Sequence, residues 1–208
     1  MHLICIDTET IGLPTRKGGF DDYAHYSETS NYDSCRVIEI GYVIFNSHGR
    51  IMKKVNHLIK PVNIKIENSH IHGITQELAE NNGIKMYDAL KELEEDLKYV
   101  DTIVAHNLLF DYNIILSECY RLNMNSLIGK IESLNKSCTM KLGRKVIGLG
   151  KYPKLSVLYE FLFQKEIVQE HRALSDVLFC LECYIKMVEL LNLSIDGKRK
   201  IEEKNICL

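Results

Sequence analysis

The sequence predicts a single mixed α/β domain. Three strand-like runs come early, the pattern turns helical from Thr75, and helical and strand-like stretches alternate after it. A chain of 208 residues, 46% apolar and 26% charged, is long enough to bury one sizeable core. No internal repeat and no second domain interrupts it.

The first strand is read at 2–7, within LICIDTETIG. This run ends in Asp7 and Glu9, and the two-residue period of a strand turns both to one face. Two like charges there repel, more strongly if buried, so something must compensate them. The polar stretch LPTRKGGFDDYAHYSETSNYDSC reads as a long loop over 13–35. Its Phe20, Tyr23 and Tyr26 supply an aromatic face, better explained by a loop packing itself down than by a base-stacking arm. RVIEIGYVIF (36–45) is a second strand, and GRIMKKVNHLIKP (49–61) a third after a turn at Asn46–Gly49, which makes a meander with the first. Thr75 opens a short helix, and Met86, Leu90, Leu93 and Leu97 form a helical stripe. DTIVAHN (101–107) is a buried strand, followed by helices at 110–122, at 155–163 and from Ala173 to Leu191, the last turning Leu174, Val177, Leu181, Ile185 and Val188 inward. The domain is read as 1–194, with 195–208 a charged, frayed tail.

Composition narrows the function. A net charge of -2 carries no global nucleic-acid signature, so any such partner must be held by a local patch. Seven cysteines without a framework spacing, and no signal peptide, predict a reducing interior: an intracellular, cytoplasmic protein, with a nuclear or viral setting left open. No apolar run reaches the ~20 residues of a membrane span.

VAHNLLFD places Asp111 in the first turn of a helix just past a buried strand, and EHRALSD sets His171 and Asp176 around the start of the last helix. Helix dipoles alone account for acids in first turns. In open α/β sheets, however, chemistry gathers at the carboxyl ends of strands, where Asp7, Glu9 and Asp111 all fall.

Asp7-Thr8-Glu9-Thr10, then His106-Asn107 with Phe110-Asp111, then His171 with Ala173 and Asp176 resemble, in order, the three motifs of the DEDDh (DnaQ-like) 3′–5′ exonucleases. That group includes the polymerase III proofreading subunit, ribonuclease T and oligoribonuclease, and the resemblance spans about residues 2 to 190. It implies a ribonuclease H-like mixed five-stranded sheet flanked by helices, with the first three strands antiparallel and strand 1 central. It also implies stepwise release of nucleoside 5′-monophosphates from single-stranded 3′ ends. On this resemblance Asp7 bridges two metal ions, Glu9 and Asp176 hold the one carrying the nucleophilic water, Asp111 supports the other, and His171 is the general base. Independently, four converging carboxylates call for divalent cations, and oxygen ligands select Mg²⁺ or Mn²⁺ over zinc.

The resemblance further implies that Thr8, Thr10, Leu13, Asn107 and Phe110 line the terminal nucleotide's pocket, and that His72, in IHGIT, lies near its base or sugar. His106 is expected to orient the strand end or the substrate rather than to bind metal. The chain departs from many relatives at Ile11, where they have a second Thr, and in the length of the 13–35 loop. Between Glu132 and Glu160 lie six basic residues and no acidic one, a candidate phosphate track balanced against ordinary solvated surface. CLEC (180–183) reads as core or surface cysteine rather than a metal site.

DNA is slightly favoured over RNA by the long DTETIGLP form. A 3′–5′ exoribonuclease is the nearer alternative, and a non-catalytic nucleic-acid-binding accessory of a polymerase or repair complex the more distant one. A mononucleotide phosphatase fits the acids but not the basic stretch. A polymerase or repair partner and a homo-oligomer are both left open.

Overall fold

The computed structural model describes residues 2–16, 18–19, 21–148, 150–167 and 171–191. Phe20 and the tail expected at 195–208 lie outside the described residues. Five strands, β1 (His2–Thr10), β2 (Val37–Asn46), β3 (Ile51–Leu58), β4 (Val100–Ala105) and β5 (Asn135–Cys138), form one sheet in the order β3-β2-β1-β4-β5. β1, β2 and β3 are antiparallel, and β1, β4 and β5 run parallel. The expected five-stranded mixed sheet with a central first strand is therefore present.

Helices α1 (Ser69–His72), α2 (Gln76–Asn82), α3 (Met86–Asp96), α4 (Leu108–Arg121), α5 (Asn125–Ser133), α6 (Thr139–Ile147), α7 (Leu155–Phe163) and α8 (Ala173–Leu190) flank it. Alternation along β1 sorts the two layers. Ile4 and Ile6 pack with α3, α4 and α5, whereas Leu3 and Cys5 pack with α7 and α8. Cys180 and Cys183 of CLEC are buried in that second layer. Thr75 caps α2 through the Leu78 N–H at 3.1 Å.

Three features differ from the sequence reading. β1 runs on to Thr10, so Asp7 lies inside the strand rather than at its end, and Glu9 inside rather than beyond it. The α5–β5–α6 stretch was not anticipated. β5 is a short polar edge strand, as edges require, so it lacks an apolar signature. α6 lies within the basic stretch between Glu132 and Glu160; its buried Gly143 sits so close to α7 that a Cβ there would meet Leu158 at 2.9 Å. The 13–35 loop does pack itself down: Ala24, Tyr32 and Cys35 are buried, the Tyr32 hydroxyl donates to the Ala24 carbonyl, and Tyr26 donates to Glu132 at 2.9 Å. No described helix is long and apolar enough to cross a membrane.

Candidate active site

Asp7 and Glu9 continue the Leu3–Cys5 face of β1 and so point toward α8. Across the antiparallel ladder Asp7 sits opposite Gly41, and Glu9 opposite Glu39. A Cβ on Gly41 would lie 2.6 Å from the Leu174 nitrogen and 2.7 Å from the Ala173 carbonyl carbon. The missing side chain lets the first turn of α8 rest directly against the sheet beside Asp7.

Glu39 fixes that turn. Its fully buried carboxylate accepts from Arg172 Nη2 at 2.6 Å and Nε at 3.1 Å, from the Ala173 N–H at 2.9 Å and from Asn56 at 3.0 Å. Burial alone would raise its pKa; Arg172, the Ala173 N–H and Asn56 outweigh burial and hold it below the usual carboxylate range. One helical turn beyond Ala173, Asp176 is buried over the β1 acids. His171, immediately before Arg172, is exposed and adopts the left-handed conformation at φ 47°, rare for a non-glycine residue. Glu9, His171 and Asp176 each offer a ligand atom within 4.8 Å of the others.

Asp111 arrives from the other layer. β4 pairs with β1 only as far as Cys5, leaving the end of β1 without a neighbour on that side. The chain turns at Asn107, left-handed at φ 65°, and α4 begins. Asp111, in its first turn, accepts from the Thr8 N–H at 3.0 Å and the Thr8 hydroxyl at 2.8 Å. A carboxylate thus substitutes for the missing strand partner.

The cluster's charges are in conflict. Burial, then Asp111, Glu9 and Asp176, push the Asp7 carboxyl well above its ordinary range. Burial, then Asp176 and Glu39, push Glu9 up to about 8 despite Arg172. Burial lifts Asp111 to about 7 against its two bonds from Thr8. Four carboxylates, of which Asp7, Glu9 and Asp111 have raised proton affinities, and an imidazole form a donor set that suits divalent cations, which would take the place of the protons.

The remaining expected residues divide. His106 lines a cleft of about 400 Å³ together with Asp7, His171, Asp176, Tyr152 and Lys154. Burial lowers its pKa to about 4, so the ring is neutral, donating from Nε2 to the Pro153 carbonyl (3.1 Å) and accepting at Nδ1 from Thr139 (2.9 Å). It ties the end of β4 to the segment before α7. Leu13 is 68% exposed, as a wedge beside a base must be. The Oδ1 of Asn107 is buried without a hydrogen-bond partner. Thr10 is buried and its hydroxyl donates to the Gly12 carbonyl at 2.7 Å, while Phe110 is half-buried against the α3–α5 layer.

Two residues expected at the substrate are buried and hydrogen-bonded within the protein. Thr8, expected at the substrate, is buried with both donors committed to Asp111. His72, expected at the base or sugar, is 1% exposed. Its Nδ1 accepts from the Ile74 N–H (3.1 Å), its Nε2 meets Asn68 Oδ1 (3.2 Å), and Asn68 donates to the Thr10 carbonyl (3.2 Å). It braces the end of β1 from inside. Glu39, Gly41, Thr139 and Arg172 were missed; a lone acid and a glycine inside the apolar run RVIEIGYVIF were the available signal.

The exonuclease family model of the RNase T type matches residues 4–184. Among solved structures, exonuclease X in complex with 5′-overhanging duplex DNA shares 22% identity at TM-score 0.59, over 94% of this chain and 96% of that one. E. coli exonuclease I in complex with a dA16 oligonucleotide shares 16% identity at TM-score 0.68, over 91% and 41%. The zinc-bound form of its single-stranded DNA complex shares 17% identity at TM-score 0.68, over 91% and 40%. This chain therefore spans about two-fifths of exonuclease I, and at such identities the likeness establishes the fold. No curated protein matches the chain significantly. The family match, on a sheet that gathers the motif acids around one cleft, makes this chain a member of the exonuclease family, a nuclease acting on the ends of nucleic acids.

Proposed function

We propose that this chain is a two-metal 3′–5′ exonuclease that releases nucleoside 5′-monophosphates from single-stranded ends, with DNA preferred to RNA. The observation that carries the reading is the convergence of Asp7, Glu9, Asp111 and Asp176 from β1, α4 and α8, with His171 at the rim of the same cleft. DNA is favoured because exonuclease X and exonuclease I are both seen with DNA strands.

The four carboxylates would hold two Mg²⁺ or Mn²⁺ ions, which supply Lewis-acid activation of the attacking water and neutralise charge at the scissile phosphate. His171 takes the proton of that water as it adds to phosphorus; its exposed, left-handed position leaves the ring free to close on bound substrate. The P–O3′ bond breaks, the mononucleotide departs, and the new 3′ oxygen is protonated from solvent. Leu13 wedges beside the terminal base, and Asn107, through its unpartnered Oδ1, accepts from a sugar hydroxyl or base N–H.

The test is digestion of matched 5′-labelled DNA and RNA oligomers with Mg²⁺, Mn²⁺ or EDTA, alongside Asp7→Asn protein. A ladder shortening from the 3′ end, absent with EDTA and in the variant, is the expected result, and relative rates assign the sugar. An oligomer that is bound yet never shortened would sink this reading.

A further inference from the structure

Beside the cleft, α6 turns Lys141, Arg144 and Lys145 to one face, as their spacing requires. With Gly148, Gly150 and Tyr152 they line a groove of about 530 Å³. A second hollow of about 380 Å³ shares Lys141 and Lys145 and adds Lys136. Tyr152 in turn lines both the groove and the active-site cleft. The three depressions therefore adjoin one another, from the carboxylates across α6. Among the described residues lining the two outer hollows there is no carboxylate, in a chain whose net charge is -2.

Two of the groove's cations already have stand-in partners. Arg144 lies over the Tyr152 ring, 5.2 Å from its centroid, and Lys141 pairs at 2.9 Å with Asp21 of the 13–35 loop. A cation stacked on an aromatic face and a carboxylate on a half-exposed ammonium are weak, solvent-screened interactions. A base can replace the first, and a phosphate the second. Lys136 is engaged elsewhere: it donates to the Glu132 and Leu134 carbonyls at 2.9 and 3.2 Å and takes no part.

We propose that this groove is the track for the strand 5′ to the scissile nucleotide, with phosphates on Lys141, Arg144 and Lys145 and one base stacked on Tyr152. The proposal rests on the 3′–5′ reading above, since it places the 3′ end in the cleft and the rest of the strand on α6. It also gives the 13–35 loop a role: Asp21 competes with the strand for Lys141.

The experiment is fluorescence anisotropy of a labelled single-stranded dT oligomer with Asp7→Asn protein, titrated over a range of salt. Arg144→Ala/Lys145→Ala should weaken binding at least tenfold and flatten the slope of log K against log salt by about 0.7 for each phosphate left without its cation. Tyr152→Leu should weaken binding about tenfold with the slope unchanged, and Tyr152→Phe should restore it. Asp21→Asn should tighten binding. Binding by the double variant equal to that of its parent, or weakened with no change in slope, would overturn the track. Because anisotropy needs no turnover, groove-dependent binding together with wild-type protein that cuts nothing would refute the exonuclease reading alone. One that cuts normally with the groove irrelevant to binding would refute the track alone.

Discussion

Asp111 owes its direction to Thr8. The carboxylate is buried, and burial alone favours its protonated form; the Thr8 N–H and hydroxyl oppose that and fix its direction. Thr8→Val keeps the β-branched shape and the backbone donor and removes only the hydroxyl. A hydrogen bond to a charged acceptor contributes about 1.5–3 kcal/mol, so kcat should fall roughly tenfold or more while oligomer binding holds, and Thr8→Ser should recover most of it. Single-turnover rates at saturating Mg²⁺ measure this directly. An unchanged rate would mean that Thr8 does not position Asp111. His72 teaches the complementary lesson. Its place in IHGIT fits a substrate contact and a buried brace equally well, and only burial separates them. Burial lowers the pKa of the ring, and its Nδ1 accepts the Ile74 N–H. Local sequence carries no signal for that choice.

At the scale of elements, the site depends on how closely α8 approaches β2. Gly41→Ala would place a methyl within 2.6–2.7 Å of the backbone at Ala173 and Leu174, atoms that cannot rotate away. The helix start must shift, carrying His171 and Asp176 with it. Overpacking of this kind costs about 1–3 kcal/mol, and loss of activity should exceed loss of fold: denaturant melts still cooperative, cleavage nearly abolished. Glu39→Gln removes the buried charge and leaves the partly exposed Arg172 beside a neutral amide, so the clamp loosens and the fold is destabilised. Arg172→Lys retains the charge but loses the two-pronged fit, so it should fold better than Glu39→Gln yet still cleave slowly. Equal activity of Arg172→Lys and wild type would remove this clamp from the account. β1 to β4, α3, α4, α7 and α8 were legible because each carries an apolar run or stripe. β5 and α6 were not: one is a polar edge strand, and the other is a basic helix whose inner face includes a glycine. The motif acids were legible because their chemistry restricts residue type. The Glu39–Arg172 clamp was not, since its partners lie 133 residues apart and meet only once the sheet and α8 have formed.

For the molecule as a whole, the acidic cluster is a standing electrostatic cost that only protons or cations relieve. Unlike carboxylates paired with bases, Asp7, Glu9 and Asp111 have raised pKa values in the folded state, Glu9 to about 8 and Asp111 to about 7. The folded protein therefore holds more protons than the unfolded chain from the ordinary carboxylate range up to about pH 8. In that window the stability of the metal-free protein must fall as pH rises. Divalent cations displace those protons, so binding should release them and the trend should flatten. Thermal melts in EDTA are expected to shift down between pH 5 and pH 8, and melts at saturating Mg²⁺ to stay level. Removing one charge should have the same sign as adding a cation. Asp7→Asn is expected to raise the melting temperature in EDTA at pH 8, by about 2–4 °C for each kcal/mol relieved, and to lose most of the further gain from Mg²⁺. An Asp7→Asn protein that melts below wild type in EDTA would show that Asp7 supports the fold rather than strains it. The four acids would then owe their clustering to packing, and the case for a cation site would have to rest on measured binding alone.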